Sequence, residues 1–183
     1  MRNIVKLLFL VSIISCRQPS KGNIKIHSQS LENKWDTLDE TNYLIQYPSK
    51  WEIVKGGKLP LNAFYSPKES TEDKFQENVN VLIQSLAEEP GVDLNKFSEI
   101  SLEQIKTMLT NSNIEENKRI KNTTQEYQKM IYTGDQGIFH LKFEQYFFVS
   151  NGQAYVLTFT SEQDKFDNYK ETGENILNSF KLK

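Results

Sequence analysis

The sequence predicts an α+β domain, because stretches typical of strands outnumber two segments typical of helices. Most of the strand-like stretches follow one another directly and are separated by turn sequences, which is typical of an antiparallel sheet. Each helix-like segment carries its apolar residues on one face, so each is expected to cover a sheet. A length of 183 residues fits one such domain preceded by a leader.

The start of the chain has the pattern of a bacterial lipoprotein signal peptide. Two basic residues precede the apolar run Leu7–Ile14, which is much shorter than the roughly 20 residues needed to span a bilayer. Ser15 and Cys16 follow, and this ending resembles the lipobox, in which a peptidase cuts before the cysteine and the sulfur carries a diacylglycerol. We therefore expect residues 1–15 to be removed and Cys16 to be the lipid-modified N-terminus. The alternative is an ordinary secretory signal that ends near a free cysteine.

The next segment, residues 16–34, is polar and is expected to form the lipidated N-terminus and a flexible tether. Residues 35–183 are then the folded domain. This organisation predicts a protein anchored by lipid in the bacterial cell envelope. Arg17 stands where some lipoproteins of the inner membrane carry Asp, which favours the periplasmic face of the outer membrane.

Charge and residue counts argue against several kinds of function on chemical grounds. Removal of residues 1–15 takes away Arg2 and Lys6, so 20 of the 22 basic residues remain against 24 acidic ones, and the net charge is −4. The sequence also has no basic stripe suited to binding nucleic acid. Cys16 is the only cysteine, so its lipidation leaves no thiol for a disulfide, a metal site or a nucleophile. The two histidines are His27, in the tether, and His140, which is interpreted as structural. The sequence thus predicts no enzyme, no catalytic residues, no metal and no cofactor.

Two weaker indications of a binding site come from acidic pairs and aromatic residues. A weak calcium site could use Asp39–Glu40, Glu88–Glu89 or Glu115–Glu116, but hard cations need six or more converging oxygens, and solvated charge in loops is the favoured interpretation. The 11 Phe, 8 Tyr and 2 Trp could form a platform for carbohydrate or lipid. Most of them fall on predicted core faces, so core filling is the favoured interpretation.

The first half of the domain predicts four strands and a helix. Alternating Tyr43, Ile45 and Tyr47 indicate a strand that ends at Pro48, and further strands are predicted at 51–54, 63–65 and 78–86. Asp93 is expected to cap a helix that runs to about Thr110. The apolar face of this helix is expected to contain Leu94, Phe97, Ser101, Ile105, Met108 and Leu109.

The last third predicts a meander of four strands, at about 114–121, 126–133, 138–149 and 153–161. Turn sequences at 134–137 and 150–152 separate the last three strands. In the third strand, the core face is expected to carry Phe139, Leu141, Phe143, Gln145 and Phe147. The other face carries His140, Lys142, Glu144 and Tyr146.

A second helix is predicted to close the domain. Thr160 to Gln163 match a capping box, and one helical stripe then contains Phe166, Tyr169, Gly173, Ile176, Leu177 and Phe180. Gly173 weakens a helix but permits close approach, so we expect it to lie against the sheet.

Four short motifs resemble the PsbP-like family. They are Tyr47-Pro48-Ser49-Lys50-Trp51, Asn78-Val79-Asn80-Val81, Tyr155-Val156-Leu157-Thr158 and Ser179-Phe180. Their order and spacing cover about residues 41–182. The resemblance implies a single-domain α/β sandwich in which an antiparallel sheet is flanked by helices, and all four motifs are interpreted as framework.

The resemblance also bears on function. The family includes a thylakoid subunit of photosystem II, a nuclear-import factor that binds Ran and many bacterial lipoproteins, which share a fold rather than a chemistry. We therefore expect a non-catalytic, membrane-anchored lipoprotein that docks an envelope protein or stabilises an assembly. The alternative is a binder of a small hydrophobic or glycan ligand, in a concavity between sheet and helix.

Overall fold

The computed structural model describes residues 34–56 and 61–183. The predicted signal peptide, Cys16, His27 and almost all of the predicted tether lie outside the described residues. Neither helix of the described part combines the length and the apolar character that a membrane span requires.

In the described part, ten strands and two helices form two antiparallel sheets. The elements are β1 (Trp35–Asp39), β2 (Tyr43–Pro48), β3 (Glu52–Lys55), β4 (Leu61–Tyr65), β5 (Asn78–Ser85), α1 (Leu94–Met108), β6 (Thr110–Lys121), β7 (Glu126–Gln136), β8 (Phe139–Ser150), β9 (Gln153–Glu162), α2 (Phe166–Asn178) and β10 (Lys181–Leu182). The large sheet has the order β3-β4-β5-β9-β8-β7-β6, and the small sheet has the order β1-β2-β10. The predicted antiparallel α+β architecture is confirmed, but the fold is richer in sheet than a helix-flanked sandwich.

The large sheet is buried on both faces. Successive residues of β9 point alternately to the two faces and belong to two different hydrophobic clusters. Ala154 and Val156 join the hydrophobic cluster beneath α1, whereas Tyr155, Leu157 and Phe159 join the cluster beneath α2. The small sheet shares the second face with α2, because Tyr43 and Ile45 of β2 belong to the same cluster. On this face of the large sheet, where a layer of helix alone was expected, the covering layer therefore consists of α2 and the small sheet.

The expectation that β8 has a single core face is wrong. Phe143 and Phe147 are buried as expected, but Glu144 (0% exposed), Tyr146 (3%) and Phe148 (1%) on the opposite face are buried as well. The second layer of α2 and small sheet covers that face, which local alternation could not indicate. His140 remains exposed near the end of the strand.

Helix α1 begins as predicted and ends differently. The Asp93 carboxylate accepts a hydrogen bond of 2.8 Å from the Lys96 N–H, which confirms the cap. Met108, expected on the apolar face, is 56% exposed, because the chain leaves the helix there. Leu109, already extended, reaches the sheet and packs on Gly134, where a Cβ would lie 2.9 Å from the Leu109 Cβ. Gly134 is part of strand β7. The turn predicted at 134–137 is shorter in the structure and consists of Gly137 and Ile138.

The predicted capping box before α2 is wrong, whereas the close approach of Gly173 is confirmed. Thr160 stays in β9, paired with Asn78 and Phe143, and α2 begins only at Phe166. Sheet pairing on both sides outweighs the single hydrogen bond that a cap would provide. A Cβ added to Gly173 would lie 2.6 Å from the ring of Phe159, so only glycine lets this turn of helix contact the sheet.

Candidate functional site

A cavity of about 420 Å³ opens between the small sheet and the β3–β5 side of the large sheet. We call it the polar cleft. Its lining consists of Glu40, Thr41, Asn42, Tyr43, Lys55, Gly56, Leu61, Asn62 and Ile83. The volume lies within the range of about 300–1,000 Å³ usual for ligand pockets. The cleft therefore has the size of a site for a small molecule.

The cleft lies where the turn between β1 and β2 meets the large sheet. The Glu40 N–H donates to the Tyr43 carbonyl at 2.9 Å and closes the turn. Lys55 and Asn62 are opposite one another on β3 and β4, so their side chains enter the cleft from neighbouring strands. Three separate segments of the chain thus supply the polar groups.

A first group of hydrogen bonds fixes the wall formed by Glu40, Lys55, Asn62 and Tyr43. The Asn62 amide nitrogen donates to the Tyr43 hydroxyl at 2.7 Å and to Glu40 Oε1 at 3.5 Å. Lys55 Nζ lies 3.2 Å from the same Glu40 oxygen. Burial raises the pKa of Tyr43, the hydrogen bond from Asn62 partly opposes this, and the charge of Glu40 adds to it. The Tyr43 hydroxyl therefore stays neutral.

A second group of hydrogen bonds fixes the turn itself. The Asn42 amide nitrogen donates to Gln153 Oε1 at 3.3 Å, and that oxygen also accepts from the Tyr155 hydroxyl at 2.8 Å. Lys183 Nζ donates to the Glu40 carbonyl at 2.8 Å and to the Asp39 carboxylate. The side chains around the cleft are thus oriented before any ligand arrives.

The described groups in the cleft are mostly hydrogen-bonding groups. Its described lining contains the hydroxyl groups of Thr41 and Tyr43, the amides of Asn42 and Asn62, the Glu40 carboxylate and the Lys55 ammonium group. No group of three or more His, Cys, Asp or Glu residues in the described part is arranged to hold a metal ion. Leu61 and Ile83 add a small apolar wall beside these polar groups.

Two of the predicted acidic pairs are engaged with lysines in the structure. Asp39–Glu40 contact Lys183 and Lys55 beside the cleft, as described above. The Glu115 carboxylate lies 2.7 Å from Lys142 Nζ on β8, and the Glu116 carboxylate lies 3.1 Å from Lys118 Nζ on its own strand. Glu115 and Glu116 are on strand β6, not in a loop.

His140 is at the other end of the sheet from the cleft. Its Nδ1 lies 2.6 Å from Asp135 Oδ1, and the imidazole is 77% exposed. A hydrogen bond from Asn111, followed by that from His140, holds the pKa of Asp135 below its usual range. These contacts tie β6, β7 and β8 together at their ends, in agreement with the structural interpretation of His140.

One ionic cluster has no signal in the sequence. Lys129 Nζ lies 2.7 Å from Glu144 Oε1 and 3.4 Å from Glu174 Oε1, and the Tyr146 hydroxyl donates to Glu144 at 3.0 Å. Burial disfavours the charged form of Lys129, but the hydrogen bond and charge of Glu144 outweigh it, so the pKa of Lys129 is raised. The cluster joins β7 and β8 to α2 and is enclosed by them, so it belongs to the framework.

The aromatic residues mostly fill the core, as the favoured interpretation predicted. The largest fully buried side chains are dominated by Phe and Tyr, and Tyr43 packs on Phe180 with ring centroids 5.3 Å apart. Only the hydroxyl end of Tyr43 takes part in the polar wall of the cleft. The cleft also lies between two sheets, whereas the sequence led us to expect a concavity between sheet and helix.

Comparison with known proteins supports the family that the motifs suggested. The family model for PsbP matches residues 35–182. The chain belongs to the PsbP family. A search of curated proteins finds no relative by sequence.

Three solved structures illustrate how the PsbP fold varies. The solution structure of cyanobacterial PsbP (CyanoP) from Synechocystis sp. PCC 6803 is 16% identical, covers 90% of this chain and 98% of that one, and has a TM-score of 0.56. LpqN of Mycobacterium tuberculosis, involved in cell envelope biogenesis, is 8% identical, with coverage of 81% and 90% and a TM-score of 0.58. The Ran-binding protein Mog1p of Saccharomyces cerevisiae is 6% identical, with coverage of 81% and 95% and a TM-score of 0.56. At these identities the likeness concerns the fold.

Proposed function

We propose that this PsbP-family chain is a non-catalytic binding protein of the bacterial cell envelope, anchored by lipid at Cys16, and that the polar cleft is its recognition site. The observation that carries the proposal is an open cleft of about 420 Å³ beside a core that the aromatic residues fill. A structure of this kind can hold a small ligand without rearranging its hydrophobic clusters.

Two further observations support the proposal. The polar groups of the cleft are held by hydrogen bonds to one another, which lowers the entropic cost of ordering them around a ligand. Mog1p is described as Ran-binding, so a binding role occurs on this fold, and LpqN is described as involved in cell envelope biogenesis. An anchor at Cys16 would keep this domain at the periplasmic face of the outer membrane.

Fragment screening by NMR tests the cleft as a recognition site. We expect fragments that bind to shift the side-chain amide signals of Asn42 and Asn62, because both residues line the cleft. The signal of Asn113, exposed on the opposite edge strand β6, serves as the control and should not move. Binding of fragments only at sites remote from these amides would contradict the proposal.

A second candidate is docking of an envelope protein, which the sequence alone favoured. The observation that supports it is the exposure of apolar side chains away from the cleft: Ile138 is 77% exposed at the β7–β8 turn and Met108 is 56% exposed at the end of α1. In-cell crosslinking followed by mass spectrometry tests it. A crosslink that is repeatedly recovered and is lost in the Ile138→Ser variant supports docking, whereas recovery of no neighbour contradicts it.

A further inference from the structure

The chemistry of the cleft narrows the class of its ligand. Resting on the proposed function, we infer that the polar cleft binds an uncharged, hydroxyl-rich ligand, a sugar or a short glycan, rather than an ion or an apolar molecule. The inference comes from the charge balance, the hydrogen-bonding groups and the apolar wall of the cleft.

The charges of the described lining form one ion pair. Among the residues of the lining that the structure describes, the charged ones are Glu40 and Lys55, and their charged atoms are 3.2 Å apart. Asp39 and Lys183, at the border of the cleft, are also paired with each other. A ligand with a net charge would meet two opposite charges at similar distances, so attraction and repulsion largely cancel. The cleft therefore offers little free energy to an anion or a cation.

The amide groups need a ligand that both donates and accepts hydrogen bonds. Both amide hydrogens of Asn62 are directed at Tyr43 and Glu40, which leaves its carbonyl oxygen to accept from a ligand. The Thr41 hydroxyl can donate or accept, and Lys55 can donate. A sugar hydroxyl is itself a donor and an acceptor, so adjacent hydroxyl groups can satisfy both kinds of partner at once.

The apolar part of the lining is aliphatic. Leu61 and Ile83 are half-buried and supply it, while the ring of Tyr43 is buried against Phe180 and presents no open aromatic face. The C–H face of a sugar ring suits such a wall. A wholly apolar ligand would instead cover the amides and the ion pair without replacing their hydrogen bonds to water, which is unfavourable.

Chemical-shift titration of the full chain with a matched set of probes tests this inference. The probes are glucose, N-acetylglucosamine and maltose as neutral saccharides, phosphate and citrate as anions, spermidine as a cation and cyclohexanol as a largely apolar molecule. We expect at least one saccharide to shift the Asn42 and Asn62 amide signals saturably. Titration is preferable to a melting assay, because sugars stabilise many proteins non-specifically.

Two variants locate the binding. Asn62→Ala should weaken saccharide affinity about tenfold, the effect of one lost hydrogen bond of about 1.4 kcal/mol. Thr41→Val removes a hydroxyl from the turn with little change of shape and should weaken affinity in the same direction, which covers the case in which Asn62→Ala unfolds. Asn113→Ala, on the opposite edge of the large sheet, is the control and should bind like the wild type.

The outcomes separate the inference from the proposed function. If an anion, the cation or cyclohexanol shifts the cleft amides and no saccharide does, the ligand class is wrong although the cleft remains a binding site. If no probe and no fragment shifts them, both the inference and the proposed function are overturned. Equal saccharide binding by the wild type and both cleft variants would also overturn the inference.

Discussion

The ammonium group of Lys129 on β7 lies 2.7 Å from the carboxylate of Glu144 on β8, and Glu144 has no exposed surface. The second oxygen of that carboxylate is buried without a hydrogen-bond partner in the described part of the chain. Lys129 is therefore the cation that compensates a buried charge. Glu174 extends the contact to α2, and Glu116 on β6 lies 4.0 Å from the same nitrogen, so one lysine joins three strands and a helix.

Replacement of Lys129 by Met should destabilise the domain by about 3–5 kcal/mol, because Glu144 is then left buried without its cation. Chemical denaturation monitored by circular dichroism measures the change. The control is Lys96→Met, which removes an ion pair with Glu99 in which the lysine is 58% exposed, and should cost at most about 1 kcal/mol. The double variant Lys129→Met, Glu144→Gln should recover part of the loss. Equal effects of the two single variants would contradict the structural role of Lys129.

Gly173→Ala should also destabilise, although Ala is ordinarily better than Gly in a helix by about 1 kcal/mol. The new methyl group would start 2.6 Å from the Phe159 ring, so α2 or the ring has to move, and overpacking of this kind costs about 1–3 kcal/mol. Asn168→Ala, at an exposed position of the same helix, should be close to neutral. A rise in melting temperature for Gly173→Ala would show that α2 does not pack on β9 as described.

The buried carboxyl of Glu77 predicts a dependence of stability on pH. Burial raises its pKa, the hydrogen bond from its own backbone N–H partly opposes this, and so does the charge of Lys165. Because the folded state holds this proton to higher pH than the unfolded chain, stability falls as pH rises from the ordinary carboxyl range through the raised pKa.

Glu77→Gln should remove that fall, so the variant gains stability over the wild type above the transition and matches it at lower pH. Urea denaturation at several pH values measures the difference. Glu72→Gln, exposed in the same loop, provides the comparison and should follow the wild-type curve. If the Glu77→Gln variant is less stable than the wild type at neutral pH, the charged form of Glu77 is favourable and the prediction is wrong.

Cys16→Ser should release the protein from the membrane, because lipid on the sulfur is the proposed anchor. Detergent-phase partitioning and intact-mass analysis of the wild type and the variant measure this, and globomycin should block maturation of the wild type only. If the Cys16→Ser variant still partitions into the detergent phase, the lipid anchor at Cys16 is rejected.

Much of the framework could be predicted because its signals are local. Each of these signals reflects a contact that constrains the nearby sequence. Examples are the alternation in β5 and β9, the cap at Asp93 and the glycine at position 173 in the apolar stripe of α2. Strand β1 could not be predicted in this way, because only Leu38 of its five residues is buried and it has no alternating pattern.

The remaining features depend on residues that are distant in sequence. Thr160 has the right neighbours for a capping box, but its pairing with Asn78, 82 positions earlier, keeps it in a strand. Glu144 is buried by the second layer, and nothing in its own strand indicates Lys129 as its partner. The cleft combines Glu40, Asn62 and Ile83 from separate segments, and polar residues carry no periodic signal.

The pairing of β10 with β2 has a consequence for the order of folding. Lys181 lies opposite Leu44, so one edge of the small sheet is supplied by residues 137 positions later in the chain. In the large sheet, β5 likewise has β4 and β9 as neighbours, so it gains its second neighbour only after β9 has been synthesised. Contacts of such long range are slow to form, since the intervening chain must lose its freedom first. The domain therefore cannot complete its second layer until nearly all of its residues have left the ribosome.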